Sequence, residues 1–480
     1  MRARHQAAVL IALSLGIAAT VSTVPSTVGA KALSAPVFSS KPTAKAKALQ
    51  PFSFTVKAKG NPAPTVTVTS ALPSGVTFTP GVNGTATLSG TVPFKESVPI
   101  SLQAANGQGT VTQTLTLAAT GLPGIRHVFV IMLENEGYND TFGSPSSDPY
   151  LATTLPSQGA LLQNYYGVGH FSNDNYTAFV SGQPPNSANQ NDCVGGFVDF
   201  PLGSNLDANG IQQGAGCVYP SNVPTVAGQL TAKGFDWKGY MEDMGNIPTR
   251  ESATCAHPTI GSGDPTLTAT AGDGYATRHD PFVYFHSVID NTTSCGQNVV
   301  PLGTTAGSLP AGTPVGVTGL ATDLQSIATT PNLSFISPNL CNDGHDYPCA
   351  SQPSGASRLA DVDTFLQTWV PLIEASPAFQ KDGLLEVTFD EADVSPIDAT
   401  SCCDETPGPA ALAGGNGRSG PGGGRTGTVL ISPFITPGVL AKRKYNHYSS
   451  LASIEDLFNL PRLGEAKSVT SDFDKNIYMK

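Results

Sequence analysis

The chain has 480 residues and a formal net charge of −11. A chain of this length exceeds what one hydrophobic core usually organises, so we expect two or more domains. The acidic balance argues against nonspecific binding to nucleic acid or to anionic lipid, because both need a basic protein surface. A phosphate-bearing ligand would therefore have to be attracted locally, by a cation in its binding site.

Residues 1–30 have the pattern of a secretory signal peptide. Two arginines and a histidine precede the apolar run AAVLIALSLGIAA, and small residues follow at 28–30. The run is shorter than the ~20 residues that a membrane span needs, so cleavage near Lys31 is favoured over an uncleaved membrane anchor. We therefore expect a secreted protein, extracellular or cell-wall associated, with no transmembrane segment.

Export would place the eight cysteines in an oxidising compartment, where disulfides form. The spacing favours a bridge across the short loop from Cys341 to Cys349. Two further pairs are weaker expectations, because spacing does not determine connectivity: Cys193 with Cys217, and Cys255 with Cys295.

The segment 35–120 is rich in Thr, Val, Ser, Gly and Pro, and it contains no Cys, Trp or His. Apolar and polar residues alternate near 52–56, 66–68, 100–104 and 111–117, which predicts strands, and the turn NGQG makes the last two a hairpin. Short alternating strands of this kind predict an antiparallel β-sandwich. The runs PSGVTFTPG, LSGTV and ISLQAANGQGTVTQTLTL resemble bacterial immunoglobulin-like modules that accompany secreted enzymes. Such a module implies either a cell-wall or glycan contact or a passive spacer.

After residue 124, candidate strands alternate with helical or looped segments. Continuous apolar runs such as VFVIML suit strands that are covered on both faces. The predicted strands are 127–133, 236–242, 333–337, 384–389 and 428–432, and the predicted helices are 358–378, broken or kinked at Pro371, and 449–460. This pattern predicts an α/β sandwich with a mainly parallel sheet, whose ligands bind beyond the carboxyl ends of the strands.

Polar clusters follow several of these strands. Glu134 and Asn135 follow the first strand, and the motif FDEAD places Asp390, Glu391 and Asp393 after a later one. Crowded carboxylates resist ionisation unless a cation neutralises them, which favours a metal site in FDEAD. For Glu134 and Asn135, a solvated loop or a helix cap is an equally good reading.

Two other clusters leave open alternatives. Ser172 in SNDN precedes a short helical stretch, where an anion would be favoured at the helix N-terminus. The alternative is N-capping by this serine or by one of the next two residues. His345 and Asp346 lie in the predicted Cys341 to Cys349 loop, where they are either held for function or incidental on a surface loop.

Seven ordered blocks carry a more specific signal: HVFVIMLENEGYNDTFG, GHFSNDNYTAFVSG, RHDPFVYF, PNLCNDGHD, VTFDEAD, GRTGTVLISPFITPG and YNHYSSLASIEDLFNL. In this order they resemble the phosphoesterase family of bacterial phospholipases C and acid phosphatases, within the alkaline-phosphatase superfamily. The resemblance implies a catalytic domain at 125–465 with an alkaline-phosphatase-like α/β sandwich.

The resemblance also implies roles for particular residues. It assigns metal binding to Glu134, Asn135, Ser172, Asp390 and Glu391. Ser172 would be the nucleophile and His345 the catalytic proton donor. Substrate binding would involve the remaining motif residues, namely Asn175, His279, Asp346 and His447.

This chain departs from the family near the nucleophile. Many relatives have a proline where Asp174 stands, which leaves Thr177 and Ser181 as alternative nucleophiles. His170 is either a phosphate contact or a structural residue.

The polar clusters suggest a metal-dependent hydrolase, and the resemblance implies that it acts on phosphoric ester bonds. Oxygen ligands suit Mg, Mn or Ca, whereas histidine ligands would favour Zn or Fe. The leading hypothesis is a secreted acid-phosphatase-like enzyme that hydrolyses small phosphate monoesters through a phosphoseryl intermediate. Two alternatives are a phospholipase C acting on phospholipid head groups and a non-catalytic secreted adhesion protein.

Overall fold

The computed structural model describes residues 31–351, 357–392, 397–409, 421–474 and 476–478. The predicted signal peptide at 1–30 and Asp393 lie outside the described residues. Contacts divide the chain into two compact units, one built mainly from residues 51–90 and 98–117 and the other containing residues from 118 onward. Within the described ranges, no helix combines the length and the apolar character that crossing a bilayer requires.

The N-terminal unit contains two four-stranded sheets, with strand orders β1-β3-β6-β5 and β2-β8-β7-β4. Alternate residues of the predicted strands point inward, and Ile100, Leu102 and Ala104 are completely buried. β7 and β8 are hydrogen-bonded neighbours, as the hairpin prediction required. The immunoglobulin-like assignment is suggested by these strands and stays a prediction. The strands are β1 (Ser34–Phe38), β2 (Thr43–Lys47), β3 (Pro51–Asn61), β4 (Thr65–Val68), β5 (Val76–Pro80), β6 (Thr85–Thr91), β7 (Glu96–Asn106) and β8 (Gly109–Thr120).

The second unit is built on an eight-stranded sheet with the order β12-β11-β13-β9-β14-β15-β10-β16. Only β15 runs antiparallel to its neighbours, so the predicted mainly parallel sheet is confirmed for the described residues. All five predicted strands are present, and β10, β12 and β16 were missed. The strands are β9 (His127–Leu133), β10 (Ala160–Tyr166), β11 (Trp237–Met241), β12 (Val299–Pro301), β13 (Leu333–Ser337), β14 (Gly383–Phe389), β15 (Thr428–Ile431) and β16 (Val439–Asn446).

Ten α-helices, together with short 3-10 and π segments, accompany this sheet in the part of the chain that is described. The predicted break at Pro371 is wrong, because one helix continues through this residue. Pro371 lies on the exposed side of this helix. The buried residues Val362, Trp369 and Ile373 pack the helix against the core on both sides of the proline. The helices are α1 (Tyr138–Phe142), α2 (Leu155–Gln158), α3 (Ser172–Ser181), α4 (Val226–Ala232), α5 (His286–Ile289), α6 (Thr292–Asn298), α7 (Leu320–Asp323), α8 (Arg358–Ala375), α9 (Pro377–Asp382) and α10 (His447–Phe458).

Strand β9 shows how the sheet is covered. All seven of its residues are buried, and alternate side chains enter two different cores. Val128, Val130 and Met132 belong to one core cluster, and the residues between them belong to the other. Because both faces of β9 are filled by apolar side chains, the polar residues Glu134 and Asn135 lie just beyond its carboxyl end.

Four disulfides join the eight cysteines. The three predicted pairs are all present, namely Cys341 with Cys349, Cys193 with Cys217, and Cys255 with Cys295. The fourth bridge joins the adjacent residues Cys402 and Cys403, a pairing that the sequence did not predict.

Candidate active site at the carboxyl edge of the sheet

Strand ends that are far apart in sequence meet at the carboxyl edge of the sheet. β9 and β14 are parallel neighbours, so Glu134 and Asp390 leave the sheet side by side. The backbone N–H of Asp390 donates to the carbonyl of Leu133 at 2.9 Å, and the N–H of Glu134 donates to the carbonyl of Asp343 at 2.8 Å. Three loops are thereby tied together at one place.

Ser172 is the first residue of α3 and faces this junction. Its Oγ donates a hydrogen bond of 2.8 Å to Glu134 Oε2. The helix is preceded by Phe171 at a φ of 82°, and no side chain caps it, so the alternative N-capping role is not observed. The serine hydroxyl is therefore aimed at a carboxylate and stands at a helix N-terminus, where developing negative charge is stabilised.

Asn175 holds the turn before Ser172. Its Oδ1 accepts from the N–H of Val168 at 2.7 Å, and its Nδ2 donates to the carbonyls of Gly169 and Phe171, each at 3.0 Å. The amide predicted to bind substrate thus hydrogen-bonds the backbone of the turn that precedes Ser172.

The alternative nucleophiles lie deeper in the same helix. Thr177 Oγ1 donates to the carbonyl of Asn173 at 2.9 Å, and Ser181 Oγ donates to the carbonyl of Thr177 at 2.6 Å. Both hydroxyls are fully buried. Of the three hydroxyl groups, that of Ser172 is the one in the wall of the pocket described below.

Glu134 and Asp390 are completely buried. Burial raises the pKa of both carboxyl groups well above the usual range, and the charges of neighbouring carboxylates raise it further. Asp390 Oδ1 accepts from the N–H of Asn135 at 3.1 Å. Among the described residues, Glu134 Oε1 and Asp390 Oδ2 have no hydrogen-bond partner. Buried carboxylate oxygens without partners fit the binding of a cation.

Glu391 completes the acidic set at the pocket. Its Oε2 accepts from the N–H of Phe171 at 3.1 Å and also contacts His170 Nδ1. Burial opposes protonation of this histidine, but the Glu391 charge raises its pKa. His170 Nε2 lies 2.9 Å from the carbonyl of Asp398, so both ring nitrogens have protein partners, an arrangement that fits the structural alternative.

His279 is oriented by Asp343. Its Nδ1 lies 3.0 Å from Asp343 Oδ2, and its ring stacks on Tyr176. Burial lowers its pKa well below the usual value, so the ring is neutral and Nε2 carries a lone pair. That nitrogen lies 3.3 Å from Glu134 Oε1 without a hydrogen bond between them. Carboxylate-oriented imidazole of this kind is typical of metal ligands.

His345 lies close to Glu134 and His279. Each of these three residues offers one possible ligand atom, and the three atoms lie within 4.8 Å of one another. His345 Nδ1 is 2.7 Å from Asp346 Oδ1, while Nε2 accepts from Arg278 Nη2 at 3.1 Å. Burial opposes ionisation of Asp346, but His345 and the nearby arginines lower its pKa. The donor set therefore fits a divalent cation, with oxygen ligands and one or two imidazoles within reach.

His447 begins α10 and lies behind the site. Its Nε2 lies 2.6 Å from the carbonyl of Asp390, and its Nδ1 lies 3.0 Å from the hydroxyl of Tyr165. Burial lowers its pKa to about 4. The residue predicted to contact substrate thus lies against the backbone of Asp390.

A cavity of about 310 Å³ opens above these groups. Four of the predicted residues line it, namely Asn135, Ser172, His345 and Glu391. The sequence reasoning missed several other residues at the site, namely Asp192, Arg278, Asp343 and Arg358. Arg278 and Asp343 stand inside the RHDPF and NDGHD blocks and could have been found there. Asp192 and Arg358 have no local sequence signal.

The chain matches the model of the phosphoesterase family over residues 146–461. It is 25% identical over 346 residues to a probable acid phosphatase from Kluyveromyces lactis, covering 71% of this chain and 59% of that protein. It is 24% identical over 358 residues to the phosphatidylinositol-3-phosphatase of Mycobacterium tuberculosis, covering 75% of this chain and 85% of that protein. The chain spans 55% of an Aspergillus fumigatus acid phosphatase, again less than two thirds.

Among solved structures, a protein of the alkaline phosphatase superfamily from Vibrio parahaemolyticus is 11% identical, with 70% of this chain and 67% of that chain covered. The TM-score is 0.36, which is too low to support an argument. The fold assignment therefore rests on the sheet topology and on the family match.

Proposed function

Because this chain belongs to the phosphoesterase family, we propose that it is a metal-dependent hydrolase of phosphate monoesters with Ser172 as its nucleophile. One observation carries the proposal. Ser172 Oγ stands at a helix N-terminus in the wall of the pocket and donates at 2.8 Å to Glu134, a buried carboxylate. The other oxygen of Glu134 has no hydrogen-bond partner among the described residues, which suits a shared cation.

The cation would be held by buried residues at the strand ends and by the first residue of α3, namely Glu134, Asn135, Asp390, Glu391 and Ser172. When bound, a divalent ion would neutralise phosphoryl oxygens and lower the pKa of the serine hydroxyl. Oxygen ligands alone suit Mg, Mn or Ca, whereas recruitment of His279 would favour Zn.

In the proposed reaction, Ser172 gives up the proton that Glu134 already accepts, and Oγ attacks phosphorus in line with the leaving alcohol. The bond between phosphorus and the leaving oxygen breaks as protonated His345 gives its proton to that oxygen. Water then attacks the phosphorus of the phosphoserine and gives a proton to His345, while Glu134 returns its proton to Ser172 Oγ as the bond between Oγ and phosphorus breaks. His345 Nε2 accepts a hydrogen bond from Arg278 Nη2 at 3.1 Å, so these proton transfers require that this hydrogen bond open first. Asn175 and His447 position the reacting residues.

Four disulfides in the described chain fit an oxidising compartment, so we propose a secreted, extracellular or cell-wall associated enzyme. The monoesterase is favoured over a phospholipase C that recognises choline. Choline recognition uses several aromatic faces, and Phe171 is the one aromatic residue among those that line the pocket in the described chain.

Three serine and threonine variants test the proposal, with the chelated protein and each added metal as conditions. Ser172→Ala should lower turnover of p-nitrophenyl phosphate at least about a thousand-fold. Thr177→Ala and Ser181→Ala are matched controls from the same helix and should keep turnover close to that of the parent. Native mass spectrometry of each variant shows whether the metal is still bound.

Near-normal turnover by the metal-bound Ser172→Ala variant would contradict the nucleophile assignment. Preferential hydrolysis of p-nitrophenylphosphorylcholine would favour the phospholipase C. If the parent protein cleaves neither substrate with any metal, the non-catalytic adhesion protein becomes the better explanation.

A further inference from the structure

Two arginines lie in the wall of the pocket, and the protein engages them differently. Arg278 precedes His279, whereas Arg358 comes from α8, a different element. Positive charge in this position is notable because the chain is acidic, with a net charge of −11. The surrounding protein would repel anionic ligands at long range, so the arginines must act locally.

Arg278 is fixed in place beside the nucleophile. It is 3% exposed, Nη1 donates to the carbonyl of Leu267 at 3.0 Å, and Nη2 donates to His345 Nε2 at 3.1 Å. Its Nε lies 3.8 Å from Asp192 Oδ2, and Asp192 Oδ1 accepts from the N–H of Asn173, the residue after Ser172. A phosphoryl group at Ser172 would therefore meet a positive charge whose position is already set.

Arg358 is not paired with a carboxylate in the described chain. In the described chain, no carboxylate oxygen lies within 4.0 Å of its guanidinium. It is half-buried at the first turn of α8, and its charge acts on Asp346, the partner of His345. Because Arg358 lines the pocket, its guanidinium can offer hydrogen-bond donors to a ligand there.

The cavity volume of about 310 Å³ lies near the lower end of the ~300–1,000 Å³ range of small-molecule sites. Such a cavity suits a phosphate ester with a short organic body. Guanidinium groups bind carboxylate and phosphate groups with two parallel hydrogen bonds, which neutral hydroxyls cannot match.

We propose that the pocket selects phosphate monoesters that carry a second anionic group, and that Arg358 binds this group while the ester phosphate lies at Ser172. The inference rests on the proposed function, because it assumes that the ester phosphate is cleaved at Ser172. It adds the substrate class and a residue that determines specificity.

The test compares two substrates with the same three-carbon phosphate ester, 3-phosphoglycerate with a carboxylate and glycerol 1-phosphate without one. The full-length mature protein should have a kcat/KM at least about ten-fold higher for 3-phosphoglycerate. Arg358→Gln should remove this preference, because KM should rise at least about ten-fold more for 3-phosphoglycerate than for glycerol 1-phosphate. Lys442→Gln, an exposed residue on β16 outside the pocket lining, removes the same charge and should keep the preference.

Each other outcome decides the question. Equal losses on both substrates in Arg358→Gln, or the same loss in Lys442→Gln, would overturn the role of Arg358. A parent protein that cleaves glycerol 1-phosphate without preferring 3-phosphoglycerate would overturn this inference alone. If the parent cleaves neither substrate nor p-nitrophenyl phosphate with any added metal, the proposed function fails and this inference fails with it.

Discussion

Asp343 is the residue whose replacement most sharply tests the site. Its Oδ2 accepts from His279 Nδ1 at 3.0 Å, its Oδ1 accepts from the N–H of His345 at 2.8 Å, and its carbonyl accepts from Glu134. In Asp343→Asn the amide oxygen can still accept one of the two side-chain hydrogen bonds. The amide nitrogen cannot accept the other, so the orientation of His279 or of the His345 loop is lost.

The expected size of the effect follows from these contacts. A hydrogen bond to a charged group contributes about 1.5–3 kcal/mol, and a factor of ten corresponds to about 1.4 kcal/mol. Loss of a carboxylate that orients a metal-ligating histidine costs about 10- to 100-fold in metal affinity or activity. We therefore expect kcat/KM for p-nitrophenyl phosphate to fall about 10- to 100-fold in Asp343→Asn.

The stability of Asp343→Asn should not fall with its activity. Burial raises the pKa of Asp343 well above the usual value, which shows that its charged form is disfavoured there. A neutral amide removes that penalty, so the unfolding temperature of the metal-free variant should not fall. The variant should thus lose activity while its fold is kept.

The assay measures kcat/KM, metal affinity by titration calorimetry and the unfolding temperature on the same preparations. Asp346→Asn is the matched control, because Asp346 contacts His345 but not His279 and is partly exposed. It should lower metal affinity less than Asp343→Asn does. Activity of Asp343→Asn within two-fold of the parent, with unchanged metal affinity, would refute the reasoning. A fall in activity that only tracks a lower unfolding temperature would refute it as well.

Three further results are expected. Burial raises the pKa of Glu386 from 4.5 to about 8 in the folded protein. Between these two values the native state binds more protons than the unfolded state. The contribution of Glu386 to the free energy of unfolding therefore falls by about 1.4 kcal/mol for each unit by which the pH rises. Glu386→Gln keeps a hydrogen-bond acceptor for Ser450 and should flatten the dependence of unfolding free energy on pH, measured by denaturant unfolding from pH 5 to 8. An unchanged pH dependence would contradict the raised pKa of Glu386. Replacing both Cys341 and Cys349 by serine removes a disulfide that closes a loop with a sequence separation of 8. The free energy of unfolding should fall by about 2–3 kcal/mol. Because His345 lies in this loop, activity should be lost at a lower temperature than the one at which the protein unfolds. Chelator should lower the unfolding temperature of the parent more than that of Glu134→Gln, since a ligand that binds only the folded state stabilises it; equal shifts would remove Glu134 from the ligand set.

Much of the framework could be predicted because its signals are local. The run VFVIML is buried on both faces of β9, and the bounds of the five strands predicted after residue 124 agree with the structure to within about one residue. The loop from Cys341 to Cys349 is short enough for its ends to meet, and that bridge is present. Continuous apolar runs and short loops each depend on neighbouring residues, so the sequence alone carries them.

The strands that were missed lack such a local signal. β12 has only three residues, and β16 carries several lysine and arginine side chains that interrupt its apolar pattern. Their place in the sheet depends on pairing with β11 and β10. Pairing between strands that are distant in sequence is stabilised by burial in the tertiary structure, so the composition of such a strand does not predict it.

The sequence by itself determined that carboxylates, an amide, a serine and histidines follow buried strands. The tertiary structure alone decided which of them meet. Glu134 and Asp390 are neighbours because β9 and β14 pair across more than half of the chain's second unit, and Arg358 reaches the same pocket from a separate helix. It also decided that Asn175 and His447 each contact backbone groups beside the site, the turn before Ser172 and the carbonyl of Asp390. Side-chain partners depend on strand order and on burial, which are properties of the whole fold and not of local spacing.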